Sequence, residues 1–225
     1  RRIALAAALA FSPDGTMLFY EGELLAPALI VLLNVLLARS VLKDHPGATI
    51  ISEVKASQCL YNDITSRGGR AIMWKTGHSL IKAKMKEENA VLAGEMSGHM
   101  FFAHRYFGFD DAVYAACRLL EILSKTAAPA SSLLQDVPKT YTTPEIRVDC
   151  PDEKKFPLIE AVRDVFRKKY DVIDIDGARI LMPGGWGLVR ASNTQPVLVL
   201  RFEADTPGRL EAIRLEVEAE VKKRL

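Results

Sequence analysis

Cysteine is scarce in this chain and poorly placed for chemistry. Cys59, Cys117 and Cys150 lie far apart and in no metal-ligand spacing. An odd, scattered set argues against a disulfide framework and for reduced thiols in a cytosolic or organellar interior. The four histidines form no H-E-x-x-H or comparable pattern, so no metal is expected on this chain. An excess of one charge is missing too, since 30 basic and 28 acidic residues leave +2. That is too little for a broad basic field, so nucleic-acid binding is not expected and any anion must be recognised locally. No cleavable signal is visible, and the start at Arg1 reads as a processed form or a fragment. The one long apolar run, residues 24–42, is interrupted by Pro27, Asn34 and Arg39 and reads as a buried helix before a membrane span.

A hydrophobic content of 49% over 225 residues allows one large core or two modest ones, and two domains are expected. Residues 3–22 carry two apolar stretches around Asp14-Gly15, which suits a hairpin. After the helix at 24–42 come a β-branched strand ending near Lys55, a helix stopped by Gly68-Gly69, a strand "RAIMW", a helix "HSLIKAKMKEENA" and a strand "VLAGEM". This alternation predicts a parallel α/β unit, with Leu80, Ile81 and Met85 on the inner face of the third helix. "DDAVYAACRLLEILSK" predicts a helix with Val113, Cys117, Leu120 and Ile122-Leu123 inward. The fold class expected is therefore α/β: a mixed α/β sugar-binding domain over 1–126, a proline- and serine-rich linker over 127–143, and a smaller α+β domain over 144–225. In that second domain an amphipathic helix, a hairpin around Asp176-Gly177, a strand "PVLVLRFEA" and a charged helix are expected. "GGWGLVRASNTQP" lies between hairpin and strand.

"GEMSGHMFF" sets Glu95, Ser97 and His99 within five positions, between Gly94 and Gly98. The glycines allow positive φ and a tight turn, so the trio either holds a small polyhydroxylated ligand or merely caps the next helix. "WKTGHS" brings Lys75, His78 and Ser79 around Gly77 at a strand-to-helix junction, where unpaired N–H groups favour an anion, although Thr76 or Ser79 could be only an N-cap. Lys55, His78 and the Glu95 loop all follow the carboxyl ends of strands, where open α/β sheets bind ligands. "RASNT" supplies Arg190, Ser192, Asn193 and Thr194, a guanidinium fork with two hydroxyls and an amide suited to phosphate oxygens; the alternative is a polar hairpin loop with an exposed arginine.

Together "VK", "MWKTGHSLIKAKM", "AGEMSGHMFF", "FGFDDAVYAACRLLEIL" and "GWGLVRASNTQPVLVLRFEA" resemble the phosphomannomutase/phosphoglucomutase branch of the α-D-phosphohexomutase superfamily. The resemblance covers nearly the whole chain and points to the third and fourth of the family's four domains, with the tail of the second domain's sheet at the start. It implies that Glu95 and Ser97 contact the 3- and 4-hydroxyls of a hexose phosphate. It places His99, Lys55 and His78 near the sugar or in proton transfer, and gives the non-reacting phosphate to Arg190, Ser192, Asn193 and Thr194.

Two family elements do not occur in this sequence: the loop bearing the phosphorylated serine, and the D-G-D-G-D-R loop that binds magnesium. Without a phosphoryl donor and a metal, phosphoryl transfer loses its main electrostatic terms, so this chain alone is expected to be inactive. Magnesium and hexose 1,6-bisphosphate would join if an N-terminal half completed it. The basic pair that often follows the family's lysine is replaced by "ASQC" after Lys55. Two readings follow: the C-terminal half of a mutase that binds hexose phosphate, in the cytoplasm, or a noncatalytic, mutase-derived subunit of a larger, organellar assembly that contacts the 24–42 helix. A sugar-phosphate-binding regulator is a third.

Overall fold

A computed structural model describes residues 25–225, so the hairpin expected over 3–22 lies outside the described residues. Two compact units result, the first ending at Pro138 and the second running Lys139–Leu225.

The first unit contains α1 (Leu25–Asp44), β1 (Thr49–Glu53), α2 (Gln58–Ser66), β2 (Arg70–Trp74), α3 (His78–Glu87), β3 (Leu92–Gly94), β4 (Met100–Phe102) and α4 (Ala112–Ser124). Its sheet has the order β2-β1-β3-β4, with β1 parallel to β2 and β3, and β4 antiparallel to β3. Successive strand residues face opposite sides. Ile50, Leu92, Met100 and Phe102 thus join a core with α1, α2 and α4, while Ile51, Ala93 and Phe101 meet Ile81 and Met85 of α3. Burying a side chain such as Ile51 or Phe101, neither with measurable exposure, contributes about 1.5–3 kcal/mol. Parallel strands covered on both faces point their carboxyl ends at one edge, and the loops there carry the candidate residues.

Along α1, Val31, Leu33, Val35, Leu36, Leu37, Ala38, Val41 and Leu42 are buried in the core of their own unit. The face expected of α4 is corrected in part: Ala115, Arg118 and Leu119 are buried while Val113, Cys117 and Leu120 are exposed, and Ile122 and Leu123 pack on the core as expected. Arg118 is accommodated by donating to the His104 carbonyl (3.2 Å), by an ion pair with Glu121 (3.3 Å) and by the Phe102 ring 5.0 Å from its guanidinium carbon. Leu80 on α3 is likewise exposed, leaving Ile81 and Met85 as the inner face.

The chain divides inside the proline-rich stretch, and both sides of the division are structured. A 3₁₀ turn at Ala130–Leu134 and Val137 pack on the first core. Arg39 binds this segment through the Leu133 carbonyl and Asp136, both at 2.9 Å, while also pairing with Asp63.

The second unit contains β5 (Tyr141–Thr142), β6 (Ile146–Asp149), α5 (Asp152–Phe166), β7 (Asp171–Ile173), β8 (Ala178–Met182), β9 (Gly185–Ala191), β10 (Val197–Ala204) and α6 (Pro207–Lys222). An antiparallel path β10-β9-β8-β7 carries β5 and β6 end to end on the outer side of β10. Both helices cover the face formed by Ala178, Ile180, Val189, Leu198, Leu200 and Phe202. "GWGLVRA", which lacks a clear strand pattern, is the full-length strand β9; its Gly187 lies where an added Cβ would sit 3.0 Å from the Phe202 ring. No helix among the described residues is long and apolar enough to cross a membrane.

Candidate functional site

Glu95 is the centre of the first unit's site. It directly follows β3, is 3% exposed, and is held by its protein neighbours. Its Oε1 accepts the Gly77 N–H at 2.9 Å, its Oε2 accepts the Ser97 hydroxyl at 3.3 Å, and His78 Nε2 lies 3.5 Å from that same oxygen. The loop closes on itself: Glu95 N–H donates to the His99 carbonyl (2.9 Å) and Gly98 N–H to the Glu95 carbonyl (3.0 Å), with Gly98 at φ +87°. Gly94 serves another purpose. It is a strand residue whose missing side chain makes room for Asn34, since a Cβ there would lie 1.9 Å from Asn34 Oδ1.

The loop after β2 differs from a simple anion-binding helix start. Gly77 is the N-cap of α3 with no side-chain capping bond, and its N–H is served by the Glu95 carboxylate. Thr76 does not cap either, because its hydroxyl donates to Glu53 Oε2 at 2.6 Å. The helix terminus is thus occupied by a protein carboxylate, which favours it for the same reason an external anion would.

Glu53 was missed by sequence reasoning and underlies both loops. It has no exposed surface at the end of β1, accepts the Met96 N–H (2.7 Å) as well as the Thr76 hydroxyl, and lies 3.5 Å from Lys55 Nζ. One buried carboxylate therefore links the loops after β1, β2 and β3. Its only sequence signal was an acidic residue in an otherwise uncharged strand, two positions before Lys55.

His78 and His99 meet edge to face with ring centroids 3.9 Å apart. His99 Nδ1 lies 2.7 Å from Asp110 Oδ2, and Asp110 Oδ1 accepts the Met100 N–H at 3.3 Å. Asp110, in the "FGFDD" stretch, is the second residue missed. The structure therefore brings Glu95, Ser97, His99, His78 and Lys55 to one edge of one sheet.

In the second unit, Arg190 is on β9 and is no exposed loop arginine: it is 5% exposed and its Nε donates to Asp176 Oδ2 at 3.0 Å. Asp176 belongs to the turn between β7 and β8 and was also missed as a partner. Ser192 is buried, and its Oγ accepts the N–H groups of Thr194 (3.3 Å) and Gln195 (3.2 Å). Asn193 and Thr194 are exposed. Lys155 of α5 donates to the carbonyls of Ser192 (2.8 Å) and Gln195 (3.3 Å), holding the 192–195 turn from below.

Two family models match the chain. "Phosphoglucomutase/phosphomannomutase, alpha/beta/alpha domain III" matches residues 30–141, and "Phosphoglucomutase/phosphomannomutase, C-terminal domain" matches residues 145–220. The chain belongs to the phosphoglucomutase/phosphomannomutase family. A phosphomannomutase/phosphoglucomutase of Pseudomonas syringae pv. tomato is 50% identical over 219 residues, covering 96% of this chain and 46% of the relative. A phosphoglucomutase of Neisseria gonorrhoeae is 44% identical over 212 residues, covering 93% of this chain and 44% of the relative. The crystal structure of a phosphoglucomutase/phosphomannomutase family protein from Burkholderia thailandensis superposes with a TM-score of 0.77 at 43% identity, over 87% of this chain and 42% of that one. The chain thus spans less than half the length of these relatives and corresponds to the C-terminal half of a phosphomannomutase/phosphoglucomutase.

Magnesium, which the family resemblance implies, does not fit the residues described. Mg²⁺ takes oxygen ligands in near-octahedral geometry. The one metal-ligand cluster among the described residues is His78, His99 and Asp110, two imidazoles and a single carboxylate.

Proposed function

We propose that this chain is the substrate-recognising half of a phosphomannomutase/phosphoglucomutase, its first unit reading the sugar and its second holding a phosphate. The observation that carries this reading is the state of Glu95. An ionised carboxylate has about four acceptor positions, and Gly77 and Ser97 use two of them. The remainder suit two neighbouring sugar hydroxyls, the 3- and 4-hydroxyls, as donors. Being rigidly held, the carboxylate gives up little entropy on binding. Ser97 extends the same reading, and His78 beside Glu95, His99 against His78, and Lys55 beside Glu53 are candidates for sugar contact or proton transfer. In the second unit Arg190, Ser192, Asn193 and Thr194 form the phosphate-holding set.

The reaction served is reversible phosphoryl transfer between the 1- and 6-positions of a hexose through a 1,6-bisphosphate. Its phosphoserine and magnesium loops have no counterpart in this sequence, so this chain supplies binding and orientation and is inactive unless an N-terminal half joins it. The rival reading, a noncatalytic subunit, rests on the absent loops, because α1 side chains such as Leu33, Val35 and Leu37 pack within their own unit's core.

Isothermal titration of the chain with glucose 1-phosphate and with mannose 1-phosphate tests this. Saturable binding is expected, with both Glu95→Gln and Arg190→Ala weakening it. Absence of heat at millimolar ligand would refute the reading.

A further inference from the structure

His78, His99 and Asp110 come from three separate segments: the first turn of α3, the loop after β3, and the stretch before α4. Each offers one ligand atom, and the three atoms lie within 4.8 Å of one another. The side chains of His78 and His99 keep 45% and 20% of their surface exposed, so an ion can reach them from solvent. Their supports are firm. The fully buried Phe101 lies edge-on to His78 at 5.6 Å, and Asp110 is held by the Met100 N–H and a bridge to Phe101.

We propose that these three residues bind a zinc-class divalent transition metal ion, and that this ion and a hexose phosphate exclude each other there. The exclusion clause rests on the reading of the Glu95 loop given above; the metal site itself does not. Imidazole nitrogens select Zn²⁺, Ni²⁺ or Cu²⁺ over Mg²⁺ and Ca²⁺. Two histidines and a carboxylate form a three-ligand zinc set that leaves the fourth tetrahedral position for water. Zinc bonds of about 2.0–2.1 Å place tetrahedral donors about 3.3 Å apart, so side-chain rotation must close pairs that lie up to 4.8 Å apart and open the 2.7 Å His99–Asp110 contact. The Glu95 carboxylate beside His78 adds negative charge and an orienting partner of the kind that tunes metal-binding histidines. An ion seated here lies against the same imidazoles and carboxylate that the sugar would use.

The test is titration of the metal-free chain with zinc chloride, without sugar, followed by zinc-edge X-ray absorption. One saturable site per chain is expected, with two imidazoles and a carboxylate oxygen around the metal. His78→Gln and Asp110→Asn should each weaken it by at least about tenfold, whereas His45→Gln should leave it unchanged. No saturable binding, sulfur in the coordination shell, or affinity indifferent to both variants would overturn the site. Glucose 1-phosphate is then titrated with and without saturating zinc chloride. A weakened sugar phosphate supports exclusion and an unchanged affinity overturns that clause. Zinc binding in a chain that binds no sugar phosphate would overturn the Glu95 reading and leave the metal site standing.

Discussion

Glu53→Gln removes the charge of one buried carboxylate while preserving its shape. In the native chain Oε1 takes the Met96 N–H at 2.7 Å, Oε2 takes the Thr76 hydroxyl at 2.6 Å, and Lys55 Nζ lies 3.5 Å away. A glutamine keeps one acceptor oxygen. If that oxygen stays on Met96, the amide group faces Thr76, whose hydroxyl can turn round to accept, and Lys55, which then meets a donor. Hydrogen bonds to charged groups contribute about 1.5–3 kcal/mol and neutral ones about half of that, so the Met96 bond weakens by about 1 kcal/mol. Loss of the Lys55 attraction brings the penalty for opening the loop to about 2 kcal/mol. At 1.4 kcal/mol per factor of ten, the Met96 amide should exchange its hydrogen about 30-fold faster. Hydrogen–deuterium exchange read by mass spectrometry on a peptide covering residues 94–99 measures this, with a peptide over 197–204 as the internal control. Acceleration of both peptides alike, or of neither, would refute the claim that Glu53 ties these loops locally.

Gly94→Ala drives a methyl group into Asn34, 4% exposed and bonded to the Ile30 carbonyl, and should cost about 1–3 kcal/mol; thermal denaturation checks it, and adding Asn34→Ala should recover part of the loss. Arg190→Ala leaves the Asp176 carboxylate, with 15% of its side chain exposed, without its guanidinium and should destabilise the second unit by about 3–5 kcal/mol in denaturant unfolding; a change below about 1 kcal/mol would mean the pair is not structural. Burial, then the Arg118 charge, hold the His104 imidazole below its ordinary 6.5, so it stays neutral where the unfolded chain would already take up a proton. Its contribution to stability is complete above pH 6.5 and is lost as pH falls from there through the folded value; denaturant midpoints measured across that range should flatten in His104→Gln.

The regular elements were legible wherever the pattern was local. Strands β1 and β2 are β-branched or apolar runs between breakers, and α2 ends at a glycine pair. Strand β4 was missed because three residues have no period of their own and exist only through pairing with β3. Strand β9 was hidden by its glycines, whose lack of side chains reads as a loop until the Phe202 ring packs there. The face of α4 was partly misjudged because hydropathy puts arginine outside, whereas Arg118 is buried beside the Glu121 carboxylate, the His104 carbonyl and the Phe102 ring. Within the site, clustered glycines and polar residues marked Glu95, Ser97, His78 and His99. Glu53 and Asp110, which support that site, and Asp176 and Lys155, which support Arg190 and the 192–195 turn in the second unit, are single charged residues that each unit's own fold brings to their partners.

The wiring of Ser192 gives the 192–195 turn a direction. Both lone pairs of its hydroxyl oxygen are taken by the Thr194 and Gln195 amides, and Lys155 holds the neighbouring carbonyls, so this hydroxyl has only its hydrogen left to give. A group that can donate but not accept is blind to ammonium ions and gains little from partners that must themselves donate. On the phosphate reading proposed above, it would donate to oxygens that only accept, as those of a doubly ionised phosphate do. Discrimination of this kind needs no positive charge at the point of contact; it follows from the valence left over once the backbone has taken its share.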